Sequence, residues 1–161
     1  MDPTLCREHL ERILLEETAA LARLETILEE EHRRLEERDV DGLERAGLAR
    51  QEQVTALLRL EEERGSLCSM HGYATDASGL EQLAAWCDPS GSLRLRFEET
   101  ALRATRCKDF NARNGALVGA RLRRVEQMLG MLDGSRSLGR TYGPTGVTHG
   151  ATVGRVVQLR A

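Results

Sequence analysis

The chain has 161 residues, of which 40% are hydrophobic but only 3% aromatic, and its formal net charge is −3. This length suits one domain, and a core of Leu, Val and Ala favours helices, because strands draw on aromatic and β-branched residues. The sequence contains no run of about 18 apolar residues, so no membrane span is predicted. The start also lacks a signal-peptide pattern, and we therefore expect a cytoplasmic protein without stable membrane insertion.

The first predicted helix covers residues 4–38. Leu14, Leu21, Leu28 and Leu35 recur every seven residues and place an apolar stripe on one face. A break at 39–42 contains two aspartates, which favour turns and helix caps, and predicts a chain reversal before a second helix over 41–70. The remaining faces of the helices are rich in Glu and Arg, and we expect the acidic side chains to face solvent.

A connector precedes a short helix at 79–87, and a third long helix follows at 92–133. We place its end at Asp133-Gly134, because glycine commonly terminates helices. The predicted fold class is therefore all-α, an antiparallel bundle of three long helices plus one short helix over residues 1–133. Residues 134–161 are rich in glycine and lack a long apolar stripe, which predicts a flexible tail.

Charge is unevenly distributed along the chain. Residues 1–90 hold 21 acidic and 10 basic side chains, whereas 91–161 hold 5 acidic and 13 basic ones. We interpret this split as ion pairing between the third long helix and the first two, and a basic face for an anionic partner is the alternative. No nucleic-acid partner is expected, because no aromatic platform or phosphate-binding loop accompanies the arginines.

Neither a cofactor, a metal site nor a catalytic site is predicted. The pairs Glu29-x-x-His32 and Cys68-x-x-His71 lack further ligands at a recognisable spacing. No catalytic motif occurs, so we do not expect an enzyme. The cysteines contain no Cys-x-x-Cys pair and are predicted to be buried apolar groups without disulfides; they are Cys6, Cys68, Cys87 and Cys107.

One seven-residue stride runs along the third long helix. It consists of Phe97, Ala104, Asn111, Val118, Val125 and Leu132. Asn111 interrupts its apolar character and Asn114 follows closely. A buried Asn that pairs across helices fixes register, with Gly115 permitting close helix approach, and partner binding is the alternative. Tyr142, isolated in the tail, suits either an anchor in a partner's pocket or a ring that folds back onto the helix.

Four segments together resemble the FlgN-type flagellar export chaperones, and the resemblance covers most of the chain. They are the Leu-rich first helix, the turn at 37–43, the segment 57–64, and the stretch 110–118 with the following Tyr-Gly-x-x-Gly at 142–146. The resemblance implies a cytoplasmic chaperone that binds the hook-filament junction proteins FlgK and FlgL and prevents their premature assembly. It also implies delivery of these clients to the cytoplasmic domain of the export gate protein FlhA.

The resemblance further implies which residues act. Binding of the clients' C-terminal amphipathic segments is carried over to the third long helix, and contact with the gate to Tyr142. The client-binding set is Asn111, Asn114, Leu117, Val118, Leu122, Val125, Met128, Leu129 and Leu132. The alternative function is a structural coiled-coil or adaptor protein without an export role, which would self-associate through the stripe from Leu14 to Leu35.

Overall fold

The computed structural model describes residues 2–139, and the surroundings of side chains up to Met131. The helices are α1 (Pro3–Glu37), α2 (Val40–Met70), α3 (Ala77–Cys87) and α4 (Arg94–Gly139). The predicted all-α bundle of three long helices and one short helix is confirmed. Over this part of the chain, no helix combines the length and apolar character that crossing a membrane requires.

Aspartates begin the first three helices. Asp2, Asp39 and Asp76 precede α1, α2 and α3, and each carboxylate accepts a hydrogen bond of 2.9 Å from a backbone amide in the first turn. Such caps satisfy amides that have no partner within the helix. Only Arg38 and Asp39 separate α1 from α2, and Arg38 adopts the left-handed conformation with φ of 60°. The reversal is therefore tighter than the predicted four-residue break.

Helices α1 and α2 run antiparallel. Glu17 accepts a hydrogen bond of 2.6 Å from Arg64, and further along α1 Glu31 lies 3.2 Å from Arg50 Nε. The residue numbers on α2 decrease as those on α1 increase, so the two helices run in opposite directions. The leucines of the predicted stripe are all buried; they are Leu14, Leu21, Leu28 and Leu35.

Two acidic residues of α1 lie inside the bundle, contrary to the prediction that acidic side chains face solvent. Glu17 and Glu31 are 4% and 5% exposed. They are tolerated there because each pairs with an arginine that reaches over from α2. Burial raises the pKa of Glu17, although the Arg64 guanidinium beside it acts in the opposite direction.

The first part of α4 runs parallel to α1. Arg96 Nη2 lies 3.0 Å from a Glu11 carboxylate oxygen, and Arg103 Nη1 lies 3.2 Å from Glu25. The two positions rise together, so the helices share a direction. These pairs join a basic helix to an acidic one, which supports the interpretation of the charge split as pairing within the chain.

Two apolar clusters hold the helices together. The first joins α1, α2, α3 and the residue before α4; its buried members are Cys6, Leu10, Ile13, Leu14, Leu60, Leu67, Cys68, Leu83, Cys87 and Leu93. The second joins α1 to α4; its buried members are Leu21, Leu24, Leu28 and Cys107. All four cysteines are buried, as predicted, and none of them forms a disulfide in this structure. Burial raises the pKa of Cys6 to about 12 and that of Cys107 to about 11.

Helix α4 continues past Asp133-Gly134, where the sequence predicted its end, and reaches Gly139. A glycine within a helix costs only about 1 kcal/mol relative to alanine, so it does not by itself stop the helix. Packing divides the chain into one compact unit that ends at Arg121 and a second that begins at Leu122. Tyr142 and the rest of the predicted tail from residue 140 lie outside the described residues.

Asp88 organises the junction between α3 and α4. Its Oδ2 accepts a hydrogen bond of 2.8 Å from the Leu93 amide, and its Oδ1 accepts hydrogen bonds from the hydroxyls of Ser90 and Ser92. Burial disfavours the carboxylate, but these donors outweigh it and lower the pKa of Asp88 to about 2. The ionised side chain therefore fixes where α4 begins.

Replacing Asp88 with alanine should lower the free energy of unfolding by about 3 kcal/mol at pH 7, since it leaves the buried Leu93 amide without its partner. Urea denaturation followed by circular dichroism measures this loss. The folded pKa is below the ordinary value, so the stabilisation is present above about pH 4 and disappears as pH falls towards 2. The two proteins should converge over that range.

Asp109→Ala is the matched control, because Asp109 is an exposed aspartate of α4. Its effect should stay within about 0.5 kcal/mol. Equal losses in both variants, or a gap between wild type and Asp88→Ala that persists at pH 2, would contradict this role of Asp88.

Candidate interaction surface

Helix α4 packs on the bundle through a line of residues spaced three and four apart. Cys107 and Asn114 are buried, and Arg103, Phe110 and Leu117 are half-buried. The predicted seven-residue stride is a different line. Its members Ala104, Asn111, Val118 and Val125 are exposed, and Phe97 is half-buried. The stride correctly indicated a helix, but most of it lies beside the packing face.

Asn114 fixes α4 against α1. It is 5% exposed, its Nδ2 donates a hydrogen bond of 2.8 Å to the Leu28 carbonyl, and its Oδ1 lies 3.1 Å from His32 Nδ1. Both polar groups of the amide are therefore satisfied within the chain, which is the arrangement that sets helix register. Asn111, in contrast, is exposed and accepts only a long hydrogen bond of 3.4 Å from Arg50.

Gly115 does not serve close helix packing. A Cβ atom at this position would meet no neighbour within 4 Å. The residue is exposed because Asn114, immediately before it, points inward. The hypothesis that Gly115 lets two helices approach is therefore wrong.

An apolar stripe lies on one exposed face of α4, and we call it the α4 stripe. It consists of Val118, Leu122, Val125 and Leu129, whose exposed fractions lie between 50% and 59%. Their spacing of four, three and four residues keeps them on one side of the helix. Exposed apolar residues that are contiguous on one face commonly mark an interaction site, whereas single exposed apolar residues are ordinary on protein surfaces.

The second unit has a large exposed apolar surface of its own. Every residue from 122 to 131 is exposed. Met128 lies beside the stripe, and Met131, 74% exposed, lies further around the helix. Methionine side chains are flexible and polarisable and adapt to varied partners. Met131 was not predicted as a site residue, although its position three residues after Met128 was a readable signal.

The predicted site residues thus separate into groups. Val118, Leu122, Val125, Met128 and Leu129 lie exposed on α4, whereas Leu117 is half-buried and Asn114 is buried. Leu132 lies within α4, but its side chain is not among those described, and Tyr142 lies beyond the described residues. Leu122, Val125, Met128 and Leu129 therefore lie exposed within the second unit, and Val118 lies exposed in the first.

Charged residues border the α4 stripe. With 3.6 residues per turn, Arg121 lies on one side of the stripe and Glu126 lies on the other. Glu126 is exposed and Arg121 is half-buried. The two flanks therefore carry opposite charges, and a partner helix would meet both.

A concave surface lies between α3 and the start of α4. It has a volume of about 590 Å³, with Leu80, Ala84 and Phe97 among its apolar lining residues and Glu81 and Glu98 among its charged ones. Its apolar lining includes several alanines, which offer little contact area each. The α4 stripe has larger apolar side chains and is therefore the stronger candidate for a partner-binding surface.

Metal chemistry finds no support in residues 2–131. Over this range no cluster of three or more His, Cys, Asp or Glu side chains is arranged to hold an ion. His32, from the Glu29-x-x-His32 pair, contacts Asn114 and lies 3.4 Å from Glu36. Its ring therefore takes part in packing contacts between α1 and α4.

Comparison with protein families matched residues 1–150 to the FlgN protein family. The matched range includes all four helices. Comparisons with curated proteins and with solved structures gave no match.

Proposed function

We propose that this chain, which belongs to the FlgN family of flagellar export chaperones, holds hook-filament junction proteins of the FlgK and FlgL type in the cytoplasm. In this proposal it prevents their premature assembly and delivers them to the export gate protein FlhA. The observation that carries the proposal is the α4 stripe, an apolar face that the described bundle leaves exposed.

The stripe suits a client segment that is amphipathic and disordered before assembly. Such a segment gains a helical partner surface for its apolar side, as in other cases of helix recognition. If about 1,000 Å² of apolar surface is buried, the gross hydrophobic gain is roughly 25 kcal/mol. Ordering the client and losing its translational freedom offset most of that gain. The net affinity then allows release during export.

The proposed contact residues divide by role. The α4 stripe and Met128 would touch the client directly, with Asn111, Leu117 and Leu132 at the borders of the contact. Asn114 would act by position, because its amide is buried and holds α4 against α1. Tyr142 is proposed to contact FlhA.

The alternative of a self-associating adaptor relies on the leucines of α1. Leu14 and Leu28 are 1% and 2% exposed, and Leu21 and Leu35 are also buried within the chain's own bundle. These side chains have no free surface to offer another molecule. The observation favours the chaperone proposal over this alternative.

The test is calorimetry of the full-length chain, and of Tyr142→Ala, with a purified C-terminal segment of the junction protein and with the FlhA cytoplasmic domain. The wild type should bind both, with a negative heat-capacity change for the client because apolar surface is buried. Tyr142→Ala should weaken the gate contact about 30-fold, as expected for an aromatic anchor, and leave client binding unchanged.

Thr141→Ala is the control, since it truncates the neighbouring side chain and keeps the tyrosine. It should bind both partners as the wild type does. A wild-type chain that binds no junction segment would reject the client proposal. Equal losses for both partners in Tyr142→Ala would assign the tyrosine to the client site.

A further inference from the structure

We propose that the concave surface between α3 and the start of α4 is a docking site for a cationic amphipathic helix of a partner protein, and we call this surface the α3–α4 groove. Its residues are distinct from those of the α4 stripe, so the site does not depend on the proposed client contact. The protein therefore offers two separate surfaces, each to a different partner.

The groove is open and mainly apolar. Its volume of about 590 Å³ lies within the range of about 300–1,000 Å³ that is usual for binding sites. Leu80 and Phe97 pack against the first core cluster and also line the groove, so its floor is fixed. Four of its apolar lining residues are alanines, whose short side chains leave room for the large side chains of a partner. The apolar lining comprises Ala77, Leu80, Ala84, Ala85, Phe97 and Ala101.

Asp88 holds the two walls of the groove in place. It lines the groove, and its carboxylate accepts hydrogen bonds from the Leu93 amide and from the hydroxyls of Ser90 and Ser92. These bonds fix the turn that leads from one wall into the other, and both walls belong to the compact unit that ends at Arg121. The groove therefore exists before a partner arrives, and a preformed site loses less entropy on binding.

The charged lining of the groove is mainly acidic. Glu81 on α3 and Glu98 on α4 are exposed, and the buried Asp88 adds a third carboxylate. Among the described residues that line the groove, Arg94 is the only basic one. Its Nε lies 3.7 Å from Glu98, and the two side chains are 78% and 62% exposed, so this pair is weak. The groove therefore attracts a cationic partner and repels nucleic acids and anionic membranes.

The walls of the groove favour a helix as its occupant. Both walls are helices whose backbone groups are bonded internally, so an extended segment would find no backbone partners there. An amphipathic helix satisfies its own backbone and lays apolar anchors, three and four residues apart, into such a groove. The lining on α3 runs from Ala77 to Asp88. This distance is about 16 Å, which matches about eleven residues of a partner helix.

A synthetic peptide tests the site. The probe is a fluorescently labelled amphipathic helix of leucine and lysine, about 14 residues long, and anisotropy measures its binding to the full-length chain. We expect saturable binding that Glu81→Lys with Glu98→Lys weakens at least about tenfold. The same variant should gain binding of a leucine–glutamate peptide with the same pattern, because the charge preference of the groove is reversed.

Glu44→Lys with Glu52→Lys is the matched control for charge. Both residues are exposed on α2, outside the groove, and the change in net charge is identical. This control should bind the leucine–lysine probe within about threefold of wild type. Equal weakening by the two pairs would overturn the assignment, because it would show attraction to net charge alone.

A second arm fills the groove without changing its charge. Ala101→Trp should weaken binding of the probe at least about tenfold, because the indole occupies the space that an anchor needs. Ala116→Trp makes the same change at an exposed position of α4 outside the groove and should have little effect. Val118→Ser with Val125→Ser, which alters the α4 stripe, should also leave the affinity unchanged. Circular dichroism verifies the fold of each variant.

Three results would overturn the proposal. The first is a probe that shows no saturable binding up to about 0.5 mM. The second is wild type that binds the leucine–glutamate peptide as well as the leucine–lysine one. The third is a loss of binding in the serine variant with none in Ala101→Trp, which would place the probe on the α4 stripe. Failure of junction proteins to bind the chain leaves the groove unaffected and counts against the proposed function alone.

Discussion

Introducing aspartate at both Val118 and Val125 should weaken binding of the junction protein at least about 100-fold while the bundle stays folded. The change removes two apolar contacts worth about 1.5 kcal/mol each and places two charges against an apolar partner. Both valines are at least half exposed and have no role in the two core clusters. Calorimetry measures the affinity, and circular dichroism with thermal melting verifies the fold.

Ala120→Asp with Gln127→Asp provides a matched control. These positions are also seven residues apart, are exposed, and lie on the opposite side of α4, so the charge change is identical. The control pair should bind the client within about threefold of wild type, because exposed substitutions outside a contact have small effects. Similar weakening by both pairs would point to net charge, and undiminished client retention by the valine pair would remove the α4 stripe from the site.

The largest effect on stability is expected from Arg64→Ala. It should lower the free energy of unfolding by about 3–5 kcal/mol at pH 8, because Glu17 is left as an unpaired charge inside the bundle. Urea denaturation at fixed pH measures the loss. Glu17→Met combined with Arg64→Leu should recover most of it, since both buried charges are then gone.

The penalty of Arg64→Ala should shrink as pH falls. Burial raises the folded pKa of Glu17 above its ordinary value, and loss of the arginine removes the opposing influence. A raised carboxyl pKa means that the folded state binds a proton more tightly, so its stability increases as pH falls through that pKa. The difference from wild type should therefore be smaller at pH 5 than at pH 8. A difference independent of pH would show that lost packing of the arginine stem dominates.

The fold followed from local signals that the sequence states plainly. The leucine column at 14, 21, 28 and 35 predicted α1, and the aspartates of the break at 39–42 predicted the chain reversal before α2. The buried glutamates were missed because polarity was taken as a sign of exposure. A second column was present at 10, 17, 24 and 31, where Leu and Glu alternate. Only the arrival of Arg64 and Arg50 from α2 makes its glutamates tolerable inside.

The candidate surface was harder to predict than the helix that carries it. Periodicity identified Val118 and Val125 as apolar positions of one helix, but it cannot decide which of two neighbouring faces docks on the bundle. The face that docks carries Cys107 and Asn114, a less apolar choice than the exposed one. Asn114 holds this face on the bundle through its contacts with Leu28 and His32. These two residues lie more than eighty positions earlier in the chain, so no local sequence pattern indicates the contacts.

The burial of every cysteine turns the native protein into its own reporter of partial opening. Three thiols lie in the cluster that joins the first three helices, and Cys107 lies alone in the cluster between α1 and α4. With pKa values raised by burial, these groups react with alkylating reagents only when the structure around them opens. The labelling rate at Cys107 therefore reports the detachment of α4 from α1. The labelling rate at the other three cysteines reports the opening of the cluster that joins α1, α2 and α3. Their ratio tells whether α4 detaches before the rest of the bundle opens.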